Sequence, residues 1–243
     1  MPAYTAPEGP QPAIVIPAAG VGARIGGDRP KQYQNLRNSF LIDITIERLI
    51  RVLPEATIMV TLGSEDGWWA HTRSAAARHI HTCTGGASRA GSVLAGLRAL
   101  TMPAEHPVLV HDAARPCITS SDINALVQAV GDSDSGGLLA QAVTDTVKEV
   151  DDTGHVIATR DRRHLWRAQT PQLFRSGVLE QALLMAATGD ITVTDEASAV
   201  EHLGLHPLVV PGRADNIKVT HPGDLAMAAW FIEQQQQAGG AGA

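Results

Sequence analysis

The sequence predicts an α/β fold, with a doubly wound, mostly parallel Rossmann-like sheet and a protruding β-arm. Two observations carry this prediction. Short apolar runs rich in β-branched residues alternate with helix-like segments, and an alternating polar stretch interrupts this order after residue 144. Sheets of this class bind ligands outside the carboxyl ends of their strands. The loops that follow the strands are therefore the candidate functional segments.

The first predicted strand is AIVIP at 13–17, an apolar run stopped by proline and glycine, as a buried parallel strand should be. Similar runs predict four more strands, at 56–62, 80–84, 107–114 and 136–143. Helices are predicted between the strands, at 42–53, 66–79, 88–100 and 121–130, the last with a serine cap.

The regular order breaks at DTVKEVDDTGHVIATRDRRHLWRAQTPQLF, residues 145–174. Two short alternating stretches flank DDTG, which predicts a hairpin, and another extended piece follows. We expect this arm, at about 145–172, to protrude and to pair with a second subunit through its strand edges. The remaining predicted elements are a helix near 176–187, a capping box of Thr192 and Asp195, a strand HPLVV and a last helix at about 222–236.

Composition limits the classes of function. The 243 residues suit one domain, which we place at 13–236, between a disordered tail at 1–12 and a flexible tail at 237–243. A net charge of −6 argues against a nucleic-acid binder. The apolar runs are too short to cross a membrane and the start lacks a signal core, so we expect a cytoplasmic protein. Cys83 and Cys117 are expected to be reduced thiols.

The loop after the first strand, PAAGVGARIGGDRPKQY at 17–33, combines small residues with two long cations. It is not a dinucleotide fingerprint, because Ile25 stands where that pattern needs glycine, and the chain contains no P-loop string. Small residues let backbone N–H groups approach a ligand, and the cations can reach its phosphates. The small residues are Ala18, Ala19, Gly20 and Gly22, and the cations are Arg24 and Lys31. These features favour a nucleoside triphosphate, and the alternative is a tight turn with solvated cations.

This loop resembles the signature of the 2-C-methyl-D-erythritol 4-phosphate cytidylyltransferase family, and the resemblance continues through six further blocks in order. The blocks are GGASRAGSVLAGL (85–97), VHDAARP (110–116), DTVK (145–148), DRRHLWRAQTPQLF (161–174), TDEASAVE (194–201) and GRADNIKVT (212–220). The resemblance implies transfer of a cytidylyl group from CTP to methylerythritol phosphate, with release of pyrophosphate. It also implies a requirement for Mg²⁺, bound mainly through the CTP phosphates.

The resemblance assigns roles to residues at matching positions. Arg24 and Lys31 would stabilise the pentacoordinate α-phosphate and the leaving pyrophosphate, while Arg162 and Lys218 would hold the acceptor for in-line attack. The nucleotide would contact Ala18, Ala19, Gly20, Gly22, Gly86, Ser92, Asp112 and Ala113. The acceptor would contact Asp112, Arg115, Thr146, Arg162, Thr170, Thr194 and Lys218. No protein metal ligand is assigned, and the arm would form a homodimer that carries Arg162 into the neighbouring site.

Several of these residues also have structural interpretations. Asp112 can cap the turn after its strand, and His111 is expected to be structural rather than a metal ligand. Thr194 can begin a helix and contact substrate as well. The glutamines at 234–237 are expected to be a frayed helix end.

Other assignments stay open within the sequence. If the register of RDRR shifts, Arg160 or Arg163 replaces Arg162 as the phosphate ligand. Trp68 and Trp69 are expected to pack against the protein rather than stack on a base. Two other functions are considered: a cytidylyltransferase for another polyol phosphate, such as ribitol 5-phosphate, and a non-catalytic nucleotide-binding module.

Overall fold

The computed structural model describes residues 10–20, 29–131, 133–189 and 191–240. Within them the strands are β1 (Ala13–Pro17), β2 (Asn35–Leu36), β3 (Ser39–Phe40), β4 (Ile58–Leu62), β5 (Ile80–Thr84), β6 (Pro107–Val110), β7 (Gly137–Ala142), β8 (Val147–Val150), β9 (Val156–Arg160), β10 (Trp166–Arg175) and β11 (Leu208–Pro211). The α-helices are α1 (Leu41–Val52), α2 (Arg89–Leu100), α3 (Ser120–Val130), α4 (Ser176–Thr188), α5 (Glu196–Glu201) and α6 (Pro222–Gly240).

The main sheet has seven strands in the order β11-β7-β10-β6-β1-β4-β5. Strand β10 runs antiparallel to its neighbours β6 and β7, and the other neighbouring pairs are parallel. The predicted mostly parallel α/β sheet is therefore confirmed. The strand order reverses at β1, since the chain passes from β1 to β4 and β5 on one side and then to β6 on the other. Such a switch point leaves a crevice at the carboxyl ends of the two strands, where ligands bind.

Both faces of β1 are buried, which explains its continuous apolar run. Ile14 and Ile16 pack with α1 and α3 in one core cluster, while Ala13 and Val15 pack with α2, α4 and α5 in another. Successive residues of a strand point to opposite faces, so a strand covered by helices on both sides is apolar at every position. This burial fixes the position at which the loop after β1 leaves the sheet.

The segment 66–79 was predicted to be helical, and this prediction was wrong. It holds two short 3₁₀ turns, Trp69–His71 and Ser74–Ala76. Asp66 Oδ1 accepts hydrogen bonds from the backbone N–H groups of Trp68 and Trp69 at 2.9 Å, and Asp43 Oδ1 accepts one from that of Ser74 at 2.9 Å. These side-chain acceptors hold the backbone in turns instead of a continuous helix.

Two predicted helix caps differ in detail from the structure. The N-cap of α3 is Thr119, in a capping box with Asp122, where a serine was expected. The N-cap of α5 is Asp195, in a capping box with Ser198, so the predicted pairing of Thr192 with Asp195 was wrong. In both boxes the side chain three positions after the cap accepts a hydrogen bond from the backbone N–H of the cap residue.

The glutamines at 234–237 lie within α6, which extends to Gly240, so their interpretation as a frayed end was wrong. Ala228 and Ile232 of α6 are buried in a third core cluster. The Gln235 side chain donates a 3.0 Å hydrogen bond to the carbonyl oxygen of Cys117. These contacts hold α6 against the rest of the protein along its length up to Gln235.

The predicted hairpin is confirmed: β8 and β9 form a separate two-stranded antiparallel sheet. Strand β10 belongs to the main sheet, so the separate hairpin sheet is shorter than the predicted arm at 145–172. Of the predicted tails, residues 1–9 and 241–243 lie outside the described residues, whereas residues 237–240 lie within α6.

Two further observations concern the class of protein. Cys83 and Cys117 are free thiols, the first half-buried and the second buried, which confirms the expectation for them. In the described ranges no helix combines the length and the apolar character that a bilayer span requires.

Candidate active site

A cavity of about 310 Å³ lies at the switch point, where the carboxyl ends of β1 and β6 meet the beginning of α2. Most of the residues predicted to contact the nucleotide line it. They are Ala18, Ala19, Gly20, Gly86, Ser92, Asp112 and Ala113, and the lining also includes Lys31 and Lys218, which were assigned to the phosphates and to the acceptor. Five segments that are separate in the sequence thus meet at one edge of the sheet, as the fold class requires.

Close backbone packing shapes one wall of this cavity. A Cβ atom on Gly85 would lie 2.6 Å from the Cβ of Ala19 and 2.9 Å from the Oγ of Ser92, so only glycine lets these segments approach. The side chain of buried Gln32 donates a 2.6 Å hydrogen bond to the carbonyl oxygen of Ala18. This bond ties the segment that contains Lys31 to the end of β1.

The carboxylate of Asp112, just after β6, is the centre of the site. It is buried, and its Oδ1 accepts from Arg89 Nε at 3.0 Å while its Oδ2 lies 2.8 Å from Lys218 Nζ. The Nε of Arg115 is 3.7 Å from Oδ2. Burial alone would raise the pKa of Asp112, but the three cations outweigh burial and hold that pKa far below its usual range. Asp112 is therefore ionised and fixes three cations around the cavity.

Arg89 is a site residue that the sequence reasoning missed. It lies at the first position of α2, and its two terminal nitrogens donate to the two carboxylate oxygens of Glu196 at 2.6 and 3.0 Å. Glu196 is fully buried, which raises its pKa, and the bond to Arg89 opposes that rise. A cation at a helix N-terminus is unfavourable next to the helix dipole, so an arginine there was a signal that carboxylate partners are present.

A neutral hydrogen-bonded chain supports Asp112 from behind. Its backbone N–H donates to Thr170 Oγ1 at 3.0 Å, and Thr170 Oγ1 is 3.1 Å from His111 Nδ1. His111 Nε2 lies 3.1 Å from the carbonyl oxygen of Arg115, so Nε2 carries the proton and Thr170 donates to Nδ1. Burial lowers the pKa of His111 to about 4. The structural interpretation of His111 is the one that the geometry supports.

A second cavity, of about 190 Å³, adjoins the first. Arg89, Asp112 and Lys218 line both cavities and form the wall between them. The lining of the second cavity also includes Arg115, Thr170 and Thr194, three of the residues predicted to contact the acceptor. The sequence-predicted nucleotide and acceptor residues thus sort into two neighbouring spaces that share one charged wall.

The profile of the family described as IspD, 2-C-methyl-D-erythritol 4-phosphate cytidylyltransferase, matches residues 13–234. This chain belongs to that family. The resemblance predicted from the sequence is therefore confirmed.

Individual relatives agree with this assignment to the IspD family. The chain is 47% identical over 215 residues to the 2-C-methyl-D-erythritol 4-phosphate cytidylyltransferase of Stenotrophomonas maltophilia, covering 87% of this chain and 92% of that protein. It is 42% identical over 226 residues to that of Hahella chejuensis, covering 92% and 94%. The crystal structure of the Francisella tularensis enzyme matches with a TM-score of 0.79 at 36% identity, covering 91% of this chain and 99% of that one.

Two of the residues assigned from the IspD resemblance lie outside both cavities, and two others are not among the described residues. Thr146, just before β8, and Arg162, just after β9, are exposed and line neither cavity. Gly22 and Arg24 lie outside the described residues. The roles of these four stay predictions, and for Arg162 the family resemblance had already implied that it acts in a neighbouring subunit.

The segment that carries Lys31 is held by aromatic contacts. The hydroxyl of buried Tyr33 donates to Asp66 Oδ2 at 2.7 Å, and its ring stacks on Trp68 with 6.4 Å between centroids. The guanidinium of Arg29 lies 4.9 Å from the Trp68 ring centroid, a cation–π distance. Trp68 therefore packs against the protein, as expected, and anchors the carboxyl end of the loop on which Lys31 lies.

We predict that buried His111 makes the protein less stable as the pH falls from 7 to 5. With a folded pKa of about 4 against 6.5 in the unfolded chain, the unfolded state binds more protons in this range. This group alone should lower the free energy of unfolding by about 2 kcal/mol, as urea unfolding at the two pH values would measure.

The variant His111→Gln keeps a donor toward the carbonyl of Arg115 but does not titrate. Its loss of stability between pH 7 and 5 should be smaller by about the same 2 kcal/mol. Asp112 titrates below this range, because its pKa is lowered from 3.8, and so does not interfere. Equal pH dependence in the two proteins would contradict a buried neutral His111.

Proposed function

We propose that this chain transfers a cytidylyl group from CTP to 2-C-methyl-D-erythritol 4-phosphate, giving the cytidine diphosphate derivative and pyrophosphate. Family membership supports this activity, and one structural observation carries its assignment to the site. Two adjacent cavities share a wall of Arg89, Asp112 and Lys218 at the switch point of the sheet. One cavity suits the nucleotide, the other suits the acceptor phosphate, and the shared cations lie where the two phosphates meet.

The chemistry needs alignment and charge rather than a side-chain nucleophile. An oxygen of the acceptor phosphate, already anionic at neutral pH, attacks the α-phosphorus of CTP and forms the new P–O bond. The bond from the α-phosphorus to the bridging oxygen of the β-phosphate breaks, and its electron pair leaves with pyrophosphate. No general base is required, so the residues act by positioning and by stabilising negative charge.

The cations around Asp112 supply that positioning. Lys218 bonds Asp112 at 2.8 Å and is 38% exposed, so its ammonium still faces the cavities. Its remaining hydrogens can donate to the acceptor phosphate while the carboxylate fixes its place. Lys31 also lines the larger cavity, and we assign it to the triphosphate. Arg24 is assigned to the same phosphates by the family resemblance.

Magnesium fits this site as part of the nucleotide substrate. In residues 10–20, 29–131, 133–189 and 191–240 there is no group of three His, Cys, Asp or Glu side chains that could hold a metal ion. Both oxygens of Asp112 already face cations, at 3.0 Å from Arg89 and 2.8 Å from Lys218. Mg²⁺ commonly binds through substrate phosphates and water, where it would neutralise part of the triphosphate charge. We therefore assign it no ligand set from the protein.

We further propose that the hairpin pairs two copies of the chain. The hairpin and the residues that lead from it into β10 expose a set of large apolar side chains. They are Val150, Val156, Ile157, Leu165 and Trp166, between 38% and 62% exposed. Exposed apolar residues clustered on a strand pair mark an interface with another chain.

The arm arginines support Arg162 as the residue that reaches the partner's acceptor. Arg160 forms an ion pair with Glu149, and Arg163 forms one with Asp161. In the described part of the chain Arg162 has no such partner, so its guanidinium remains available for a phosphate. The register-shifted alternatives would require one of these two ion pairs to break.

Two other functions compete with this proposal. A cytidylyltransferase for ribitol 5-phosphate would use the same nucleotide cavity and differ only around the acceptor. A non-catalytic nucleotide-binding module would not need an acceptor cavity whose wall is shared with the nucleotide site. The shared wall of Arg89, Asp112 and Lys218 favours an enzyme, and family membership favours methylerythritol phosphate. Cytoplasmic localisation stays a prediction.

The acceptor is tested by incubating the protein with CTP, Mg²⁺ and either methylerythritol phosphate or ribitol 5-phosphate, and measuring pyrophosphate. We expect release with the first acceptor and at least about 100-fold lower kcat/KM with the second, because the hydrogen bonds to the acceptor hydroxyls are then misplaced. Faster release with ribitol 5-phosphate would reverse the assignment. CTP binding without turnover on either acceptor would favour the binding module.

Lys31→Met should lower kcat by about 100-fold or more, because it removes a preorganised charge from the phosphates while nearly keeping the side-chain volume. Arg24→Met should act in the same direction. Steady-state kinetics with methylerythritol phosphate measures both. The control is Arg98→Ala on the surface of α2, where Arg98 pairs with Glu180. Normal turnover in Lys31→Met would exclude the proposed role.

Subunit complementation tests whether Arg162 acts across the dimer. Lys31→Met and Arg162→Gln should each be nearly inactive alone. After unfolding and refolding as an equal mixture, half of the dimers are hybrids with one intact site, so about a quarter of wild-type activity should return. The same mixing with Arg163→Gln, which should be active by itself, controls for refolding. No recovery in dimers of normal size would show that Arg162 serves its own subunit's site or none.

A further inference from the structure

A third cavity, of about 220 Å³, lies away from the two already described and shares no lining residue with them. It lies between α1, the beginning of α3 and the end of α6. Its polar lining consists of Arg48, Arg51, Thr119, Ser120, Gln235 and Gln236. The glutamines that the sequence analysis set aside as a helix end are thus part of a cavity wall.

Hydrogen bonds that the glutamine side-chain oxygens accept hold two arginines in place. Arg48 Nη1 donates to Gln235 Oε1 at 2.6 Å and to the carbonyl oxygen of Ile118 at 3.0 Å. Arg37 Nη1 donates to Gln236 Oε1 at 3.0 Å. Each bond fixes one nitrogen of a guanidinium and leaves its other donors for a further partner.

These partners orient the arginines without neutralising them. Across the residues that the structure describes, Arg37, Arg48 and Arg51 have no carboxylate within ion-pair distance. The nearby Asp215 is taken by Arg213 at 2.6 Å and by the Gln235 amide at 2.9 Å.

The charge of these arginines is therefore concentrated on one cavity. Burial is the main cause that lowers the pKa of Arg48; the charges of Arg51 and Arg37 lower it further, and the charge of Asp215 opposes them. A protein of net charge −6 thus keeps Arg48 and Arg51 in one cavity lining, with Arg37 hydrogen-bonded to a third lining residue, Gln236.

Helix stability accounts for only part of this arrangement. Arg51 lies in the last turn of α1, where the helix dipole favours a cation. That effect does not explain why Arg48 and Arg37 are paired with neutral amides. Amide partners keep the full positive charge of a guanidinium, and this is the arrangement expected of an anion site that is rigid before its ligand arrives.

We propose that this cavity binds the phosphate group of a small anion. Guanidinium groups bind phosphate oxygens with paired donors, and the volume suits an anion between orthophosphate and pyrophosphate in size. The site is independent of the proposed cytidylyl transfer. Its residues share no contact with the reacting groups assigned above.

The test follows the backbone amides of Thr119, Ser120, Gln235 and Gln236 by NMR during titration with inorganic phosphate. Sodium chloride at matched ionic strength gives the baseline. We expect saturable shifts at these amides with phosphate and none with chloride. A parallel titration with pyrophosphate identifies the ligand as a monophosphate or a diphosphate by which anion binds more tightly. Shifts that are equal in chloride, or that never saturate, would overturn the proposal.

Two variants test the arginines without disturbing the fold. Arg51 is exposed, so Arg51→Gln should keep the structure and weaken phosphate binding by about 10-fold or more. Gln236→Glu keeps an acceptor for Arg37 and adds an internal counter-charge, so it should weaken binding to a similar extent. Each has a matched control with the same change in net charge.

The controls are Arg78→Gln, remote from the cavity lining, and Gln234→Glu, on the same helix but not in the lining. Both should bind phosphate within about 2-fold of the wild-type protein, since screening leaves distant exposed charges little effect. Equal weakening in a variant and its control would mean that only net charge matters. That result would reject a defined site.

Discussion

The buried carboxylate of Asp112 is the interaction on which the site depends. Removing a carboxylate from water is unfavourable by several kcal/mol unless cations and hydrogen bonds compensate it. Here Arg89, Arg115 and Lys218 supply the cations, and each comes from a different segment of the chain. Arg89 is itself partly buried and is balanced by fully buried Glu196. The end of β6, the beginning of α2 and the beginning of α5 are thereby fixed to one another by charge as well as by packing.

The same balance explains how an acidic protein can hold a polyanion. Around Asp112 three cations face two carboxylates, which leaves one positive charge before Lys31 is counted. In a water-poor crevice such a surplus acts more strongly than the diffuse negative charge of a distant solvated surface. The carboxylates reduce the total charge but hold the remaining cations in fixed positions. Fixed charge is what an in-line transfer between two phosphates requires, because the cations need not reorganise during the reaction.

Much of the sheet could be predicted because its signals are local. The apolar run of β1 reflects burial on both faces of the strand. The helical spacing of apolar residues in α1 reflects burial on one face. Each pattern is visible within a few residues. The antiparallel place of β10 in the main sheet has no such signal, since it depends on pairing with β6 and β7. Of the two turns at 66–79, the second was missed because Asp43, some thirty residues before it, accepts from the backbone N–H groups of Arg73 and Ser74. Likewise Arg89 and Glu196 are separated by 107 positions, so no spacing rule connects them.

The two cation clusters of this chain differ in the partners that hold them. At the switch point, Arg89 and Lys218 are held by carboxylates, which orient them and remove part of their charge. At the third cavity, Arg48 in the lining and Arg37 beside it are held by glutamine amides, which orient them and remove none of their charge. A cation paired with a carboxylate is stable without a ligand, and it can still stabilise the negative charge that develops on the phosphates during a reaction. Two cations held by amides repel each other until an anion binds between them. The free energy of the site therefore falls when the anion binds, and no reaction is needed. This difference assigns catalysis to the first arrangement and simple anion binding to the second.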